Sequence, residues 1–376
     1  MTSFYKLINN SSKLYHLLED DISRSVFWMR LRYDMDPSFD NMLLFSKLNG
    51  RTKENQEISQ PLWRTYFSQM NERNKKIILY GAGAWGSIYG NAIEREGYSF
   101  FAYCDQNYEK FKSGFEGKPV VPPQYLFKNQ EDCYVMIATM FFADEIYEFL
   151  IGHGFPKDHI LPFFYDPQLP VSELLEKQYF DFPELYPKDT AFVDAGCYDC
   201  ATVLRFAKWS KGQYSKIFAF EPDRRNFQHC QEVIKKNRDL SIELFEAGVG
   251  ERSEIAQIQL MDSSSCSRII EDPASHTARL ESNRDEVQII AIDDVVEDTK
   301  TGFIKMDIEG FEYPALQGAR RTIMRDKPLC AISVYHKPGD VLAVMDYLHE
   351  LVPEYRFWLR HYSPANSETV LYAGVN

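Results

Sequence analysis

The sequence predicts an α/β protein with two doubly wound parallel sheets and a helical segment ahead of them. Two observations carry this. Short apolar runs bounded by turn residues recur along the chain, which is the pattern of strands buried on both faces. Stretches of helical periodicity separate them, first over residues 77–153 and again from residue 191 onward. The length agrees, because 376 residues at about 150 per domain give two or three domains.

Residues 1–74 carry no Gly-rich turn. Leu14, Leu17 and Leu18 fall at helical spacing, as do Phe27, Arg30 and Leu31, so short helices are expected, ending in a polar stretch at 49–60. This segment reads as a helical cap. Residues 75–165 then read as a first unit. A strand at 77–80 runs into Gly81-Ala-Gly83-Ala-Trp-Gly86, a helix follows, and a second strand ends at Asp105. Glycines at this spacing with an acid about 20 residues later form the dinucleotide fingerprint. Gly81, Gly83, Gly86 and Asp105 are therefore candidate nucleotide-binding residues. A strand at 134–138 and a helix at 143–153 complete the unit. Residues 166–188, with Pro167, Pro170, Pro183 and Pro187, read as a linker.

In residues 189–376, strands are expected at 191–194, 216–220, 242–246, 303–306, 329–334, 355–359 and 370–373. The last two are close enough in sequence for an antiparallel hairpin. Open sheets of this kind bind ligands beyond the carboxyl ends of their strands. The residues at those ends are therefore the candidates. Asp194-Ala195-Gly196 ends the first strand, with Tyr198 in the turn. Glu221 ends the second, where an acid can accept both hydroxyls of a ribose. The alternative for Glu221 is a solvated acid at a helix N-cap. Ala247 and Gly248 follow the third strand, where a flat base fits against small residues. Lys305, Asp307 and Glu309 surround the end of the fourth, and His336 follows the fifth.

Asp194-Ala-Gly, Phe220-Glu-Pro, Ala291-Ile-Asp-Asp and above all Ile304-Lys-Met-Asp-Ile-Glu-Gly-Phe-Glu resemble the FkbM-type methyltransferases. The resemblance covers about residues 189–376. It implies a class I methyltransferase fold, S-adenosylmethionine as methyl donor and an oxygen acceptor. Stretches 333–340 and 355–372 are similar to bacterial members found with polysaccharide genes. That implies a sugar hydroxyl of a surface glycan or its precursor. The first unit resembles Rossmann-like domains attached to sugar acyltransferases and sugar C-methyltransferases, which implies a sugar nucleotide or no ligand. An NAD-dependent oxidoreductase, or a non-catalytic sugar-nucleotide-binding protein, is the alternative built on that unit.

A hydroxyl is a weak nucleophile, so a base within hydrogen-bond reach is expected. His336 is the expected base, with Asp307 or Glu309 orienting it. The alternative is a divalent metal, Mg²⁺, held by Asp307 and Glu309. Arg356, Phe357, Trp358, Arg360, His361 and Tyr362 form either an acceptor lip or an edge strand.

Lys and Arg total 42 against 55 Asp and Glu, a formal charge of −13. That argues against a phosphate-neutralising nucleic-acid binder. Residues 1–10 hold no apolar run of signal-peptide type, and the longest apolar stretch, 134–143, is too short to span a bilayer. Seven cysteines, an odd number, fit reduced thiols and a cytoplasmic location. Cys197 and Cys200 form a C-x-x-C, but no second pair lies near in sequence to complete a zinc site.

Overall fold

The computed structural model describes residues 11–45, 62–139, 142–161, 171–259, 268–269 and 284–375. The N-terminal ten residues, the polar stretch at 49–60 and Pro167 and Pro170 of the expected linker lie outside them. The chain divides into two compact units. One comprises residues 28–177 and 361–367, the other residues 1–27, 178–360 and 368–376. No helix among the described residues is long and apolar enough to cross a membrane.

The unit of residues 28–177 takes up most of helix α1 (Asp21–Met35), then α2 (Phe39–Phe45) and α3 (Leu62–Glu72). Its sheet has the order β3-β2-β1-β4, parallel throughout, with β1 (Lys76–Tyr80), β2 (Ala102–Cys104), β3 (Val120–Val121) and β4 (Cys133–Ile137). Helices α4 (Ala84–Arg95) and α5 (Ala143–Gly152) are the crossovers that a parallel sheet requires. Alternate strand residues feed two cores. Ile77, Leu79 and Met136 meet Phe67, Tyr89 and Ile93 on one side. Ile78, Tyr80, Val135 and Ile137 meet Ile146 and Leu150 on the other. The second strand is shorter than the sequence suggests: residues 98–101 lie outside β2, although Phe101 N still donates to Ile77 O at 2.8 Å. Phe100 instead packs edge-on to Tyr103 at 4.9 Å. The loop read between strands supplies β3.

The other unit is built on a seven-stranded sheet of order β14-β15-β13-β12-β5-β6-β7. Its strands are β5 (Ala191–Ala195), β6 (Ile217–Phe220), β7 (Ile242–Phe245), β12 (Thr301–Met306), β13 (Leu329–Ser333), β14 (Arg356–His361) and β15 (Thr369–Gly374). Five run parallel and β15 is antiparallel to β13. The terminal hairpin therefore inserts its second strand beside β13, as the class I methyltransferase expectation requires. One sheet face is closed by aromatic rings. Phe192 of β5 stacks on Phe206 of helix α6 (Ala201–Trp209) at 4.0 Å, and Phe303, Trp209 and Tyr186 join them. Helix α7 (Arg224–Lys236) follows β6.

A second sheet, absent from the sequence reading, has the order β10-β9-β11-β8, from β8 (Gly248–Val249), β9 (Glu254–Gln259), β10 (Arg268–Ile269) and β11 (Arg284–Ile290). It branches after β7, so Ala247 and Gly248 lie at a strand start and are buried. The Ala291-Ile-Asp-Asp motif then serves a capping purpose. After helix α8 (Glu312–Gln317), helix α9 (Arg320–Asp326) begins on the Asp293 carboxylate. Arg321 N, Thr322 N and the Thr322 hydroxyl all donate to it within 2.8 Å.

Residues 1–27 belong to the unit of the seven-stranded sheet. Leu18 bridges to Phe357, and Glu19 N donates to Phe357 O at 3.0 Å. The Ser23 hydroxyl accepts from Leu359 N, and Arg360 donates to Asp20. These contacts run along β14, which would otherwise be the open edge. Phe357 and Leu359 are fully buried and Trp358 is nearly so. Arg356 and Arg360 are paired with Glu19 and Asp20. These contacts cover β14 as a paired and largely buried edge strand.

Candidate active site

The carboxyl ends of β5, β6, β12 and β13 lie at one end of the sheet, and antiparallel β15 starts at the same end; open sheets of this kind bind ligands in a crevice there. β5 leads into Gly196, whose φ of +81° is left-handed. A Cβ there would stand 2.1 Å from Asp307 O, so the turn and the end of β12 approach as only glycine permits. Behind this turn Lys305 and Asp194 are buried and pair at 3.0 Å. Lys305 Nζ also donates to Gly196 O at 2.7 Å. Burial pulls the Lys305 pKa down, but Asp194 and Asp307 carry it above the ordinary lysine value. Both residues brace the turn from within, and neither faces the crevice as a free group.

Glu221 ends β6 and is also buried. Its carboxylate accepts from Tyr198 N and Asp223 N, each at 2.9 Å, and from the Asn226 amide at 3.3 Å. Burial raises its pKa to about 7, against these donors. The carboxylate ties the end of β6 to the glycine turn. Tyr198 extends from that turn and is exposed.

At the end of β12, Asp307 accepts from the Tyr179 hydroxyl at 2.7 Å and from the Tyr335 hydroxyl at 3.2 Å. Burial works against its charge, but His336, Lys305 and Tyr179 outweigh that and hold its pKa below the ordinary value. His336 follows β13. Its Nδ1 stands 2.9 Å from Glu312, and its Nε2 stands 3.5 Å from Asp307 and 3.8 Å from Glu309. Burial lowers the His336 pKa, but Glu312, Asp307 and Glu309 more than reverse this and raise it to about 10. In this arrangement His336 carries a proton at neutral pH. Glu312 stands nearest, at its Nδ1, while Asp307 and Glu309 lie at least 3.5 Å from its Nε2.

Glu368, just before β15, was not among the expected site residues. It is half-buried, accepts from the Gln178 amide at 2.5 Å, and lies 3.5 Å from the Tyr335 hydroxyl. Burial and then the Asp307 charge raise its pKa to about 7. Tyr179, Gln178 and Glu312 are further additions. Glu312 orients His336 and also accepts from Ile308 N, closing the turn after β12.

Asp307, Glu312 and His336 bring one ligand atom each within 4.8 Å of one another. That mixes imidazole with carboxylate, whereas Mg²⁺ takes oxygen. Glu309, the second expected Mg²⁺ ligand, faces His336 instead.

In the other unit, Gly81, Gly83 and Gly86 stand at the β1–α4 turn. A Cβ on Gly86 would meet Gly81 O at 2.0 Å, so this glycine sets the helix close to the strand. Asp105 accepts from Ala82 N at 3.0 Å and Asn107 N at 2.7 Å, which ties its carboxylate into the loop itself.

Residues 194–361 match the family described as Methyltransferase FkbM domain, and residues 73–161 match C2185-like, N-terminal. No curated protein matches the chain. Among solved structures, methyltransferase FkbM from Methylobacillus flagellatus KT is 21% identical, with 81% of this chain and 92% of that one covered and a TM-score of 0.51. That is a likeness of fold. An rRNA methylase from Streptococcus thermophilus is 14% identical, with 56% and 98% covered and a TM-score of 0.34. The SAH-bound Podospora anserina methyltransferase PaMTH1 is 14% identical, with 56% and 80% covered and a TM-score of 0.29.

Proposed function

From the match of residues 194–361 to the methyltransferase FkbM domain, we propose that this protein is an S-adenosylmethionine-dependent methyltransferase acting on a sugar hydroxyl of a bacterial glycan or its precursor. The residues present suit the donor. The Gly196 turn leaves a cradle that a Cβ would fill, and Glu221 offers two carboxylate oxygens at the end of β6, where a ribose is held in folds of this kind. When bound, the donor supplies a methyl group on a good leaving group, so the protein's main task is alignment.

One observation favours a hydroxyl acceptor. The crevice is lined by the carboxylates of Asp307, Glu309 and Glu368 and the phenols of Tyr179 and Tyr335. Carboxylates accept hydrogen bonds from a polyhydroxyl ligand and repel phosphate. Glu368, with a pKa near 7, is the base that takes the hydroxyl proton, because a base works best near the ambient pH. Asp307 stays ionised and orients the acceptor. The His336 proton offsets the charge of Asp307, Glu309 and Glu312, so that these acids can stand together.

The test is transfer of labelled methyl from S-adenosylmethionine to a panel of oligosaccharides and sugar nucleotides, with the product located by fragmentation. The expected result is an O-methyl ether. Glu368→Gln lowers kcat by about 10²-fold or more and removes the acid limb near pH 7 from the profile. No transfer to any panel member, or label on an amine, counts against the acceptor. An unchanged pH profile in Glu368→Gln counts against the base.

A further inference from the structure

Three buried cysteines that are scattered in sequence meet behind the glycine turn. Cys197 follows Gly196, Cys200 caps α6, and Cys230 comes from the middle of α7. All three are at most 1% exposed. Their sulfurs lie within 4.8 Å of one another, and Cys197 Sγ is 3.8 Å from Cys230 Sγ. Two sulfurs at about 2.3 Å from one tetrahedral zinc stand about 3.8 Å apart, so this spacing already suits a shared cation. We propose that Cys197, Cys200 and Cys230 form a three-thiolate site for a soft cation of the zinc or copper(I) class.

One feature of the fold favours a thiolate at Cys200. Cys200 stands at the N-terminus of α6, a nine-residue helix whose free amides favour negative charge. A donor set of sulfur alone selects zinc or copper(I) over magnesium or calcium. Among the described residues no fourth Cys, His, Asp or Glu joins the group. Copper(I) is satisfied by three thiolates, whereas zinc needs a fourth ligand from solvent, and this separates the two. A bound cation would clamp the turn from Cys197 to Cys200. Cys230 already holds that turn through a 3.1 Å contact to Tyr198 O.

The experiment titrates fully reduced, full-length protein with zinc and, separately, with copper(I), each against a competing chelator. The expected result is one equivalent of one of these ions per chain, with a higher unfolding temperature. Cys230→Ser weakens binding at least tenfold, and the triple Cys197→Ser, Cys200→Ser, Cys230→Ser variant abolishes it. Unchanged binding in the triple variant places the ion elsewhere and overturns the proposal. So does the absence of stoichiometric binding of either ion by the reduced wild type. If the serine variants do not fold, cobalt(II) titration of the wild type decides. A thiolate-to-cobalt charge-transfer band supports the site, and its absence overturns it. None of these readouts depends on methyl transfer or on binding of the donor.

Discussion

Replacing His336 by glutamine removes a cation that faces Glu312, Asp307 and Glu309 together at the end of β13. Its pKa is raised from 6.5 to about 10. The proton is therefore held more tightly in the folded protein. Its stabilising effect is full below pH 6.5 and is lost as the pH rises through about 10. Linkage puts that effect at about 4 kcal/mol at pH 7 and roughly 1–2 kcal/mol at pH 9. Wild type then loses roughly 2–3 kcal/mol between these pH values through this group alone. Glutamine keeps a donor for Glu312 but carries no proton to lose. Urea unfolding at pH 7 and pH 9, followed by tryptophan fluorescence, measures the difference. Wild type is expected to weaken by roughly 2–3 kcal/mol more than His336→Gln over this interval. An identical pH dependence in both proteins refutes the assignment of His336 as a held cation and returns it to the role of base.

Lys305→Met strands Asp194 without its partner in a fully buried position, and is expected to cost about 3–5 kcal/mol in urea unfolding. Adding Asp194→Asn recovers more than half of that, since both charges are then gone. In the other unit, Gly86→Ala drives a Cβ onto Gly81 O and is expected to lower stability by about 1–3 kcal/mol. Gly83→Ser, which meets nothing within 4 Å and caps α4, changes it by less than about 0.5 kcal/mol. Thermal unfolding of the two variants side by side reads this contrast.

Strands buried on both faces were legible because Ile77-Ile-Leu-Tyr and Ala191-Phe-Val are apolar runs leading to a turn. The strand-end positions of Glu221 and Asp307 followed from the same runs. What stayed hidden depends on contacts far apart in sequence. Tyr179 reaches Asp307 across 128 residues and Gln178 reaches Glu368 across 190, and no periodicity reports such a meeting. Cys230 lies 30 residues beyond the C-x-x-C, and nothing in the spacing reports that it joins Cys197 and Cys200. Strands β9 and β11 were missed although Glu254-Ile-Ala-Gln-Ile-Gln partly alternates. The His336 proton was hidden too. Its ordinary pKa suggests a base, and only the three surrounding carboxylates turn it into a held cation.

The most direct test of the account is calorimetric titration of S-adenosylmethionine into wild type and Glu221→Gln. The carboxylate at the end of β6 is assigned to the ribose hydroxyls, and a hydrogen bond to a charged group contributes about 1.5–3 kcal/mol. Wild type is expected to bind one equivalent, and Glu221→Gln to bind about 10- to 100-fold more weakly. No binding to wild type, or equal binding by the two proteins, contradicts it.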